Sequence, residues 1–270
     1  MSNIAAIVVP VYKETLSDSE YLSLRHLHYY LGEYKTYFIA PKRISINYPG
    51  IEIKYFSNEY FANTRTYNKL LLTKKFYESF KDYQYILIYQ LDCLVFSNEL
   101  MYWCNQGYDY IGPPWVKTPE LHWLKKTMVG NGGFSLRKIN SFLSVLDSTK
   151  HWYDPDIYWE KISTQYNGVL RYIRYPKKLL LTIYRYNNIT LHIEEFLKKN
   201  QNEDIFFSVY GNYYYPDFKI APIKTALRFG FEADPRLCFK MNNNQLPFGC
   251  HAWERYDRSF WEPYLLTHHI

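Results

Sequence analysis

Tyr83-Gln84-Tyr85-Ile86-Leu87-Ile88-Tyr89-Gln90-Leu91-Asp92-Cys93-Leu94-Val95-Phe96 decides how the rest of the chain is read. Its first half is apolar and aromatic, with no Gly or Pro. It lacks the strict alternation of a half-exposed strand and suits a strand covered on both faces, as in a parallel or mixed α/β sheet. One acid, Asp92, closes the run, with apolar residues beyond it. A carboxylate is costly to bury unless it is paired or bound to a metal. Open α/β sheets bind ligands at the carboxyl ends of their strands. Asp92 is therefore the first candidate for a metal or ligand contact. The plainer alternative is an acid that caps the next turn and meets water.

The flanking chain supplies the remaining parts of such a sheet. Residues 4–9 form a short apolar run that stops at Pro10, a first buried strand. Ser17 or Asp18 is placed to cap a helix carrying Leu22, Leu24, Leu27 and Leu31, which Gly32 ends. Strands follow at 36–40 and 51–56, then a helix over 66–80 with Tyr67, Leu70, Leu71, Lys74 and Tyr77 on one face. Beyond Asp92, a short helix is expected at 98–105. A strand broken by Gly112-Pro113-Pro114 follows, then a loop over the site at 116–127. Residues 134–136 read as a strand and 139–146 as a helix. Residues 147–200, with Trp152, Tyr153, Tyr158 and Trp159, are expected to pack as a lid or an added lobe. The expectation is an α/β fold with a Rossmann-like, mixed but mostly parallel central sheet flanked by helices.

Composition narrows the function classes. With 270 residues the chain can bury a large core. Aromatic residues make up 20% of it, 30 of them Tyr. Flat rings with polar tips suit stacking on sugars or bases, although an AT-rich codon usage accounts for much of the excess. The net charge of +6 is spread along the chain. It fits a phosphate-bearing ligand or an anionic membrane surface, and no Arg-rich run or motif points to nucleic acid. Cys93, Cys104, Cys238 and Cys250 show no CxxC spacing and read as reduced thiols rather than a zinc site. No leader pattern and no run of 18 apolar residues is present. The expectation is a soluble, cytoplasmic protein that can rest peripherally on a membrane.

Three further stretches carry candidate chemistry. Val129-Gly130-Asn131-Gly132-Gly133-Phe134-Ser135-Leu136-Arg137-Lys138 holds three glycines in four residues, which permit close ligand approach. It matches neither GxxxxGK[ST] nor GxGxxG, and a tight turn is the plainer reading. Asn202-Glu203-Asp204 opens an apolar helix. These residues either cap it or supply a catalytic base. Phe248-Gly249-Cys250-His251 ends in a His able to complete a metal site with Asp92, or simply a bonded imidazole.

The ordered set of Gln90-Leu91-Asp92-Cys93, Asp109-Tyr110-Ile111-Gly112-Pro113-Pro114-Trp115, the Gly130–Arg137 stretch, Asn202-Glu203-Asp204 and Phe248-Gly249-Cys250-His251 resembles nucleotide-sugar glycosyltransferases of the GT-A fold. More closely, it resembles an uncharacterised bacterial and viral domain family associated with polysaccharide biosynthesis. The resemblance runs from about Ile7 to about Trp253. It implies a single domain over 1–270, with 1–100 a nucleotide-binding half and 101–270 an acceptor-binding half. It implies that Asp92 matches the last acid of the Asp-x-Asp motif that holds a divalent metal, while Gln90 replaces the first. His251 resembles the late His of the metal shell. Pro10, Val11, Tyr12 and Glu14 fall where the first strand's loop meets the nucleotide, together with Gln90 and Leu91. Asn131, Gly132 and Gly133 resemble the segment beside the sugar. Glu203 and Asp204 resemble the acidic pair of inverting members, with Asp204 the general base.

The implied chemistry is self-consistent. A divalent ion neutralises charge on a diphosphate leaving group. An Asp and His shell suits Mn²⁺ better than Mg²⁺. Trp115 and Tyr110 are expected to stack on sugar rings. The implied reaction is metal-dependent transfer from a nucleotide sugar, with UDP the default, to a glycan, lipid-linked saccharide or protein. The alternative is a non-catalytic carbohydrate-binding protein that keeps the fold. A nucleotidyltransferase or phosphohydrolase ranks last, because Pro10-Val11-Tyr12-Lys13-Glu14 lacks a Gly-rich loop.

Overall fold

The computed structural model describes residues 4–117, 127–166 and 168–266. Most of the loop expected over 116–127 lies outside the described residues.

Eleven strands are described: β1 (Ala5–Pro10), β2 (Thr36–Pro41), β3 (Glu52–Phe56), β4 (Tyr85–Tyr89), β5 (Leu94–Val95), β6 (Tyr110–Ile111), β7 (Pro114–Trp115), β8 (Met128–Val129), β9 (Phe134–Lys138), β10 (Gly230–Phe231) and β11 (Gly249–Cys250). Six of them form the main sheet, in the order β3-β2-β1-β4-β9-β6. β1 runs parallel to β2 and β4, and β2 parallel to β3. β9 is antiparallel to both β4 and β6. The central strand is thus the 85–89 run, flanked by the 5–10 strand and by the strand after the glycines. β7 pairs with β8 outside this sheet, so the break expected at Gly112-Pro113-Pro114 separates two strands that lie in different sheets. Gly112 and Pro113 lie between them, and Pro113, lacking an N–H, cannot donate to a ladder.

The continuous apolar runs are divided between two faces by the period of 2. Ala6, Val8, Ile86 and Ile88 enter one core with Phe76, Phe80 and Phe142. Ile7, Val9, Leu87 and Tyr89 enter the other with Leu24, Leu27 and Leu31. A fully buried Leu or Ile contributes about 1.5–3 kcal/mol, so covering both faces is what holds these strands.

The helices that matter below are α1 (Asp18–Leu31), α2 (Thr64–Leu71), α3 (Lys74–Glu78), α4 (Leu100–Asn105), α5 (Ile139–Leu146), α6 (Pro155–Gln165), α7 (Tyr175–Thr182), α8 (Ile189–Lys198) and α9 (Glu203–Tyr214). Ser17 caps α1 in a capping box with Glu20, and Gly32 follows its end. The single helix expected over 66–80 is instead two. Thr73 accepts from the Phe76 amide and donates to the Leu70 carbonyl, so it starts a second helix where the first stops. No helix among the described residues is long and apolar enough to cross a membrane.

One buried ion pair ties sheet to helix. Arg137, on β9, places Nη2 2.7 Å from Glu203 Oε1 at the start of α9, with side-chain exposures of 0% and 2%. Its Nε donates to Ser135 Oγ at 3.0 Å and its Nη1 to the Tyr77 hydroxyl at 3.1 Å. The guanidinium also lies over the Tyr110 and Phe142 rings. Removing one partner of such a pair strands a buried charge, at a cost of about 3–5 kcal/mol. Glu203→Gln is expected to lower unfolding stability by that amount in urea titration. Asp147→Asn, which breaks the half-exposed Lys74 pair, is expected to cost less than about 1 kcal/mol. Equal costs would show that the buried pair has no special role.

Candidate functional site

The site begins where β4 ends. The Gln90 amide donates to the Gly133 carbonyl at 2.8 Å, which carries the β4–β9 pairing one residue past Tyr89. The Cys93 amide then turns back to the Gln90 carbonyl at 2.9 Å. The Tyr89 hydroxyl lies 2.9 Å from the Cys93 carbonyl and braces the turn from below. This turn lifts Asp92 off the sheet, with its side chain 49% exposed.

A second, three-stranded sheet brings His251 to it. β11 lies between β10, which is parallel, and β5, which is antiparallel. Since β5 directly follows Asp92, pairing Cys250 with Leu94 sets His251 beside the acid. The Trp253 amide donates to the Asp92 carbonyl at 3.2 Å and completes the junction. His251 Nε2 sits 3.4 Å from Asp92 Oδ1 and 3.2 Å from Gln90 Oε1. On the other side of the ring, Nδ1 lies 2.7 Å from Glu232 Oε1. Burial opposes a charge on this imidazole, but Asp92 and Glu232 outweigh it and raise its pKa to about 10. Burial likewise works against an ionised Asp92, and the His251 charge overcomes it, so the carboxyl is held below its usual range.

Glu232 is the member of this group that sequence reasoning left out. Its Oε2 accepts from the Trp115 indole N–H at 2.9 Å while Oε1 takes the imidazole. Once a cation displaces the Nε2 proton, a carboxylate on Nδ1 fixes the tautomer and leaves the Nε2 lone pair facing outward, the arrangement found behind metal-ligating histidines. Nε2, Asp92 Oδ1 and Gln90 Oε1 then face one another, and this donor set fits a divalent cation. Cys93 also lies close. Its thiol is fully buried and pushed well up by burial, and it donates to the Gly133 carbonyl at 3.3 Å, so it suits the role poorly.

The glycine segment passes directly behind. A Cβ at Gly133 would overlap the His251 ring and stand 2.7 Å from Gln90 Oε1; one at Gly132 would stand 2.8 Å from Glu203 Oε1. Asn131 holds the turn in a left-handed conformation, with φ 129°. Its Oδ1 accepts from the Gly133 and Phe134 amides, both at 2.9 Å. Tyr110 is fully buried and donates to the Asn131 carbonyl, so it cannot stack on a sugar as expected. Trp115 is 7% exposed and lies against Gly130.

In front of Asp92 opens a cleft of about 620 Å³. Its walls come from Pro10, Val11, Tyr12 and Lys13, from the capped N-termini of α1 and α2, and from Gln90, Leu91 and Asp92, with Glu254 added from far along the chain. Tyr12 is 57% exposed. Lys13 pairs with Glu20 at 2.7 Å. Glu14 is not among the lining residues; its carboxylate accepts from the Ser45 amide instead. Glu203 and Asp204 also lie outside these walls. Glu203 is taken by Arg137. Asp204 is buried, its Oδ1 accepting from the Ile205 amide at 2.7 Å. Burial, and then the Glu203 charge, push its carboxyl well above the usual range.

The family model described as "Protein of unknown function (DUF5672)" matches residues 50–251. This chain belongs to the DUF5672 family. No curated protein matches it. Among solved structures, the galactosyltransferase LgtC, bound to donor and acceptor sugar analogues, superposes with a TM-score of 0.51 at 15% identity, covering 98% of this chain and 97% of LgtC. The apo glycosyltransferase GlyE of Streptococcus pneumoniae TIGR4 gives 0.50 at 11% identity. That match covers 98% of this chain and 61% of GlyE, so the chain spans less than two thirds of GlyE's length. The DUF5672 chain therefore has the GT-A-like glycosyltransferase fold.

The acid pair of this DUF5672 member yields a pH test. An acid whose pKa rises on folding adds stability below its unfolded value of ~3.9 and loses it as pH climbs through the folded value. Asp204 therefore weakens the folded state at neutral and alkaline pH, and Asp204→Asn removes that penalty. Melting temperatures at pH 5 and pH 8 are expected to show the variant gaining on the wild type as pH rises. A gain that is absent or larger at pH 5 would contradict the assigned environment.

Proposed function

We propose that this protein is a metal-dependent glycosyltransferase. It transfers a sugar from a nucleotide-sugar donor, with UDP-sugar the first candidate, to a glycan, lipid-linked saccharide or protein acceptor. The observation that carries the reading is His251, held from behind by Glu232 and aimed at Asp92, where the central strand opens into a cleft of about 620 Å³. A strand-end acid beside a ligand-sized cleft is the site class that α/β sheets use for nucleotides.

In this reading Asp92 and His251, with Gln90 Oε1 beside them, hold a divalent cation. Mn²⁺ is preferred to Mg²⁺ because an imidazole nitrogen is a softer donor than oxygen. The bound ion supplies charge neutralisation on the departing diphosphate. Two carboxylates that draw a proton onto His251 also favour a cation in its place. Residues 1–100 form the donor half: Tyr12 offers a ring face to the base, and Pro10, Val11 and Leu91 shape the wall. Glu14 steadies this wall through the Ser45 amide. Residues 101–270 form the acceptor half. Asn131 fixes the Gly132-Gly133 backbone close to the sugar, and Trp115 orients Glu232. Asp204 is assigned the role of base for the attacking acceptor hydroxyl; because its carboxyl is buried and outside the walls of the cleft, this role requires the acceptor half to open toward it. Glu203, locked by Arg137, positions Asp204. A single displacement from the face opposite the leaving group inverts the anomeric centre.

A second reading, a carbohydrate-binding protein without turnover, draws on Gln90, a neutral amide where the motif carries an acid. The two readings separate on transfer: a binder keeps its glycan affinity in Asp204→Asn and shows no product with any donor.

The test is a thermal-shift panel of UDP-, GDP-, CMP- and dTDP-sugars, each with Mn²⁺ and with EDTA. One nucleotide class is expected to stabilise the protein only with Mn²⁺, by about 2.7 kcal/mol at a hundred times its dissociation constant. The shift should vanish in Asp92→Ala and shrink in His251→Ala. No shift with any nucleotide would sink the proposal. Separately, Glu232→Gln is expected to weaken Mn²⁺ binding by about 10–100-fold in a titration that needs no donor. Unchanged affinity would show that Glu232 does not support a metal ligand.

A further inference from the structure

We propose that the helical segment between α6 and α8 is a docking surface for an anionic lipid bilayer. The proposal does not depend on the reading of the cleft. From residue 161 to residue 193 the sequence contains six Lys or Arg and no Asp or Glu. The structure turns this stretch into a surface. A 3₁₀ stretch, Gly168–Arg174, leads directly into α7. Between 168 and 186 one side chain, Leu181, is buried. Val169 is 81% exposed, Ile173 70% and Leu170 61%, and Leu179, Leu180 and Ile183 stand about half exposed on α7 and just after it.

This is not a loose tail, because its C-terminal end is fastened to the body. The Tyr184 hydroxyl donates to the Ser148 carbonyl at 2.7 Å, and the Asn187 amide donates to the Tyr153 and Leu181 carbonyls, both at 2.7 Å. Trp159 on α6 packs against Tyr175 and Tyr172 and supports the segment from beneath. The fold therefore holds its aliphatic side chains out in water by construction. Folded chains rarely expose a contiguous apolar patch of this kind unless it meets a partner.

Charge selects the partner. Arg174, Lys177 and Arg185 are exposed among these aliphatic side chains, with Arg171 and Lys178 partly exposed beside them. Of the acids on α6, Asp156 pairs with Lys178 at 3.1 Å, and Glu160 is exposed on the same helix. Tyr172, Tyr175, Tyr184 and Tyr186 are also exposed. Aliphatic side chains for the acyl boundary, tyrosines for the headgroup level and bases for anionic lipid form the composition of an interfacial surface.

The test is co-sedimentation of the whole chain with phosphatidylglycerol vesicles and with phosphatidylcholine vesicles, at low and high salt. Binding to the anionic vesicles is expected, weakened by salt. Two variants should each reduce it by at least about tenfold: Val169→Ser/Ile173→Ser/Leu180→Ser and Arg174→Gln/Lys177→Gln/Arg185→Gln. All these side chains are exposed, so far-UV circular dichroism and melting temperature should stay at wild-type values. Failure of the wild type to pellet with anionic vesicles overturns the proposal, as does pelleting that neither variant reduces. If sedimentation instead reveals a dimer that the serine variant dissolves, without vesicle binding, the surface belongs to a second copy of the chain and the bilayer is excluded.

Discussion

The pairing of β4 with a neighbour on each side is the constraint from which the rest follows. Leu87 is in register with Ile7 on β1 and with Leu136 on β9. A slip of one residue on either side would exchange the two cores, sending Ile86 and Ile88 to the face that now holds Leu87 and Tyr89. The same register delivers Gln90 to the Gly133 carbonyl and lets the chain turn so that Asp92 leaves the sheet. The short antiparallel match of β5 with β11 then needs only two residues to bring His251 across. Packing energy sets the register, and the register sets the chemistry.

The electrostatics divide in the same way. Close to the sheet, Arg137 and Glu203 satisfy one another away from water, with Ser135, Tyr77 and the Gly132 carbonyl accepting from other guanidinium donors. Such a pair adds little net stability, but neither member can be lost cheaply. Its effect is to pin the first turn of α9, so that Asp204, the next residue, is held in a buried position where its charge is disfavoured. At the cleft, Glu232 does the corresponding work for His251, with Trp115 as its second partner. In both places a buried or half-buried ion relation orients a neighbour.

The legible part of the site was the part carried by strand ends. Asp92 stood out because an acid after a continuous apolar run has few ways to be satisfied. Glu232 follows Gly230-Phe231 in a similar way, and the same reasoning applied to that shorter run would have flagged it. Arg137 gave a weaker sign, a cation inside the strand Phe134-Ser135-Leu136-Arg137, where only a buried counter-charge makes sense. Tyr110 and Trp115 were misleading because an aromatic residue reads alike whether it fills a core or lines a groove; burial is decided by what packs on it. The break at Leu72-Thr73 was hidden because both halves keep helical spacing, and a single Thr hydroxyl ends one helix and starts the next.

Sequence by itself determined the fold class, the central strand and the candidate pairing of Asp92 with His251, because continuous apolar runs and isolated acids reflect local chemistry that a linear reading can weigh. Tertiary structure decided which groups meet. It joined Glu232 to His251 and Trp115, gave Glu203 to Arg137, buried Asp204, and left the 168–186 segment exposed. These depend on contacts between residues 19, 66 and 117 positions apart in the chain, or on what fails to pack on a surface. Neither is written in spacing along the chain, because burial and ion pairing are properties of the neighbours that folding supplies.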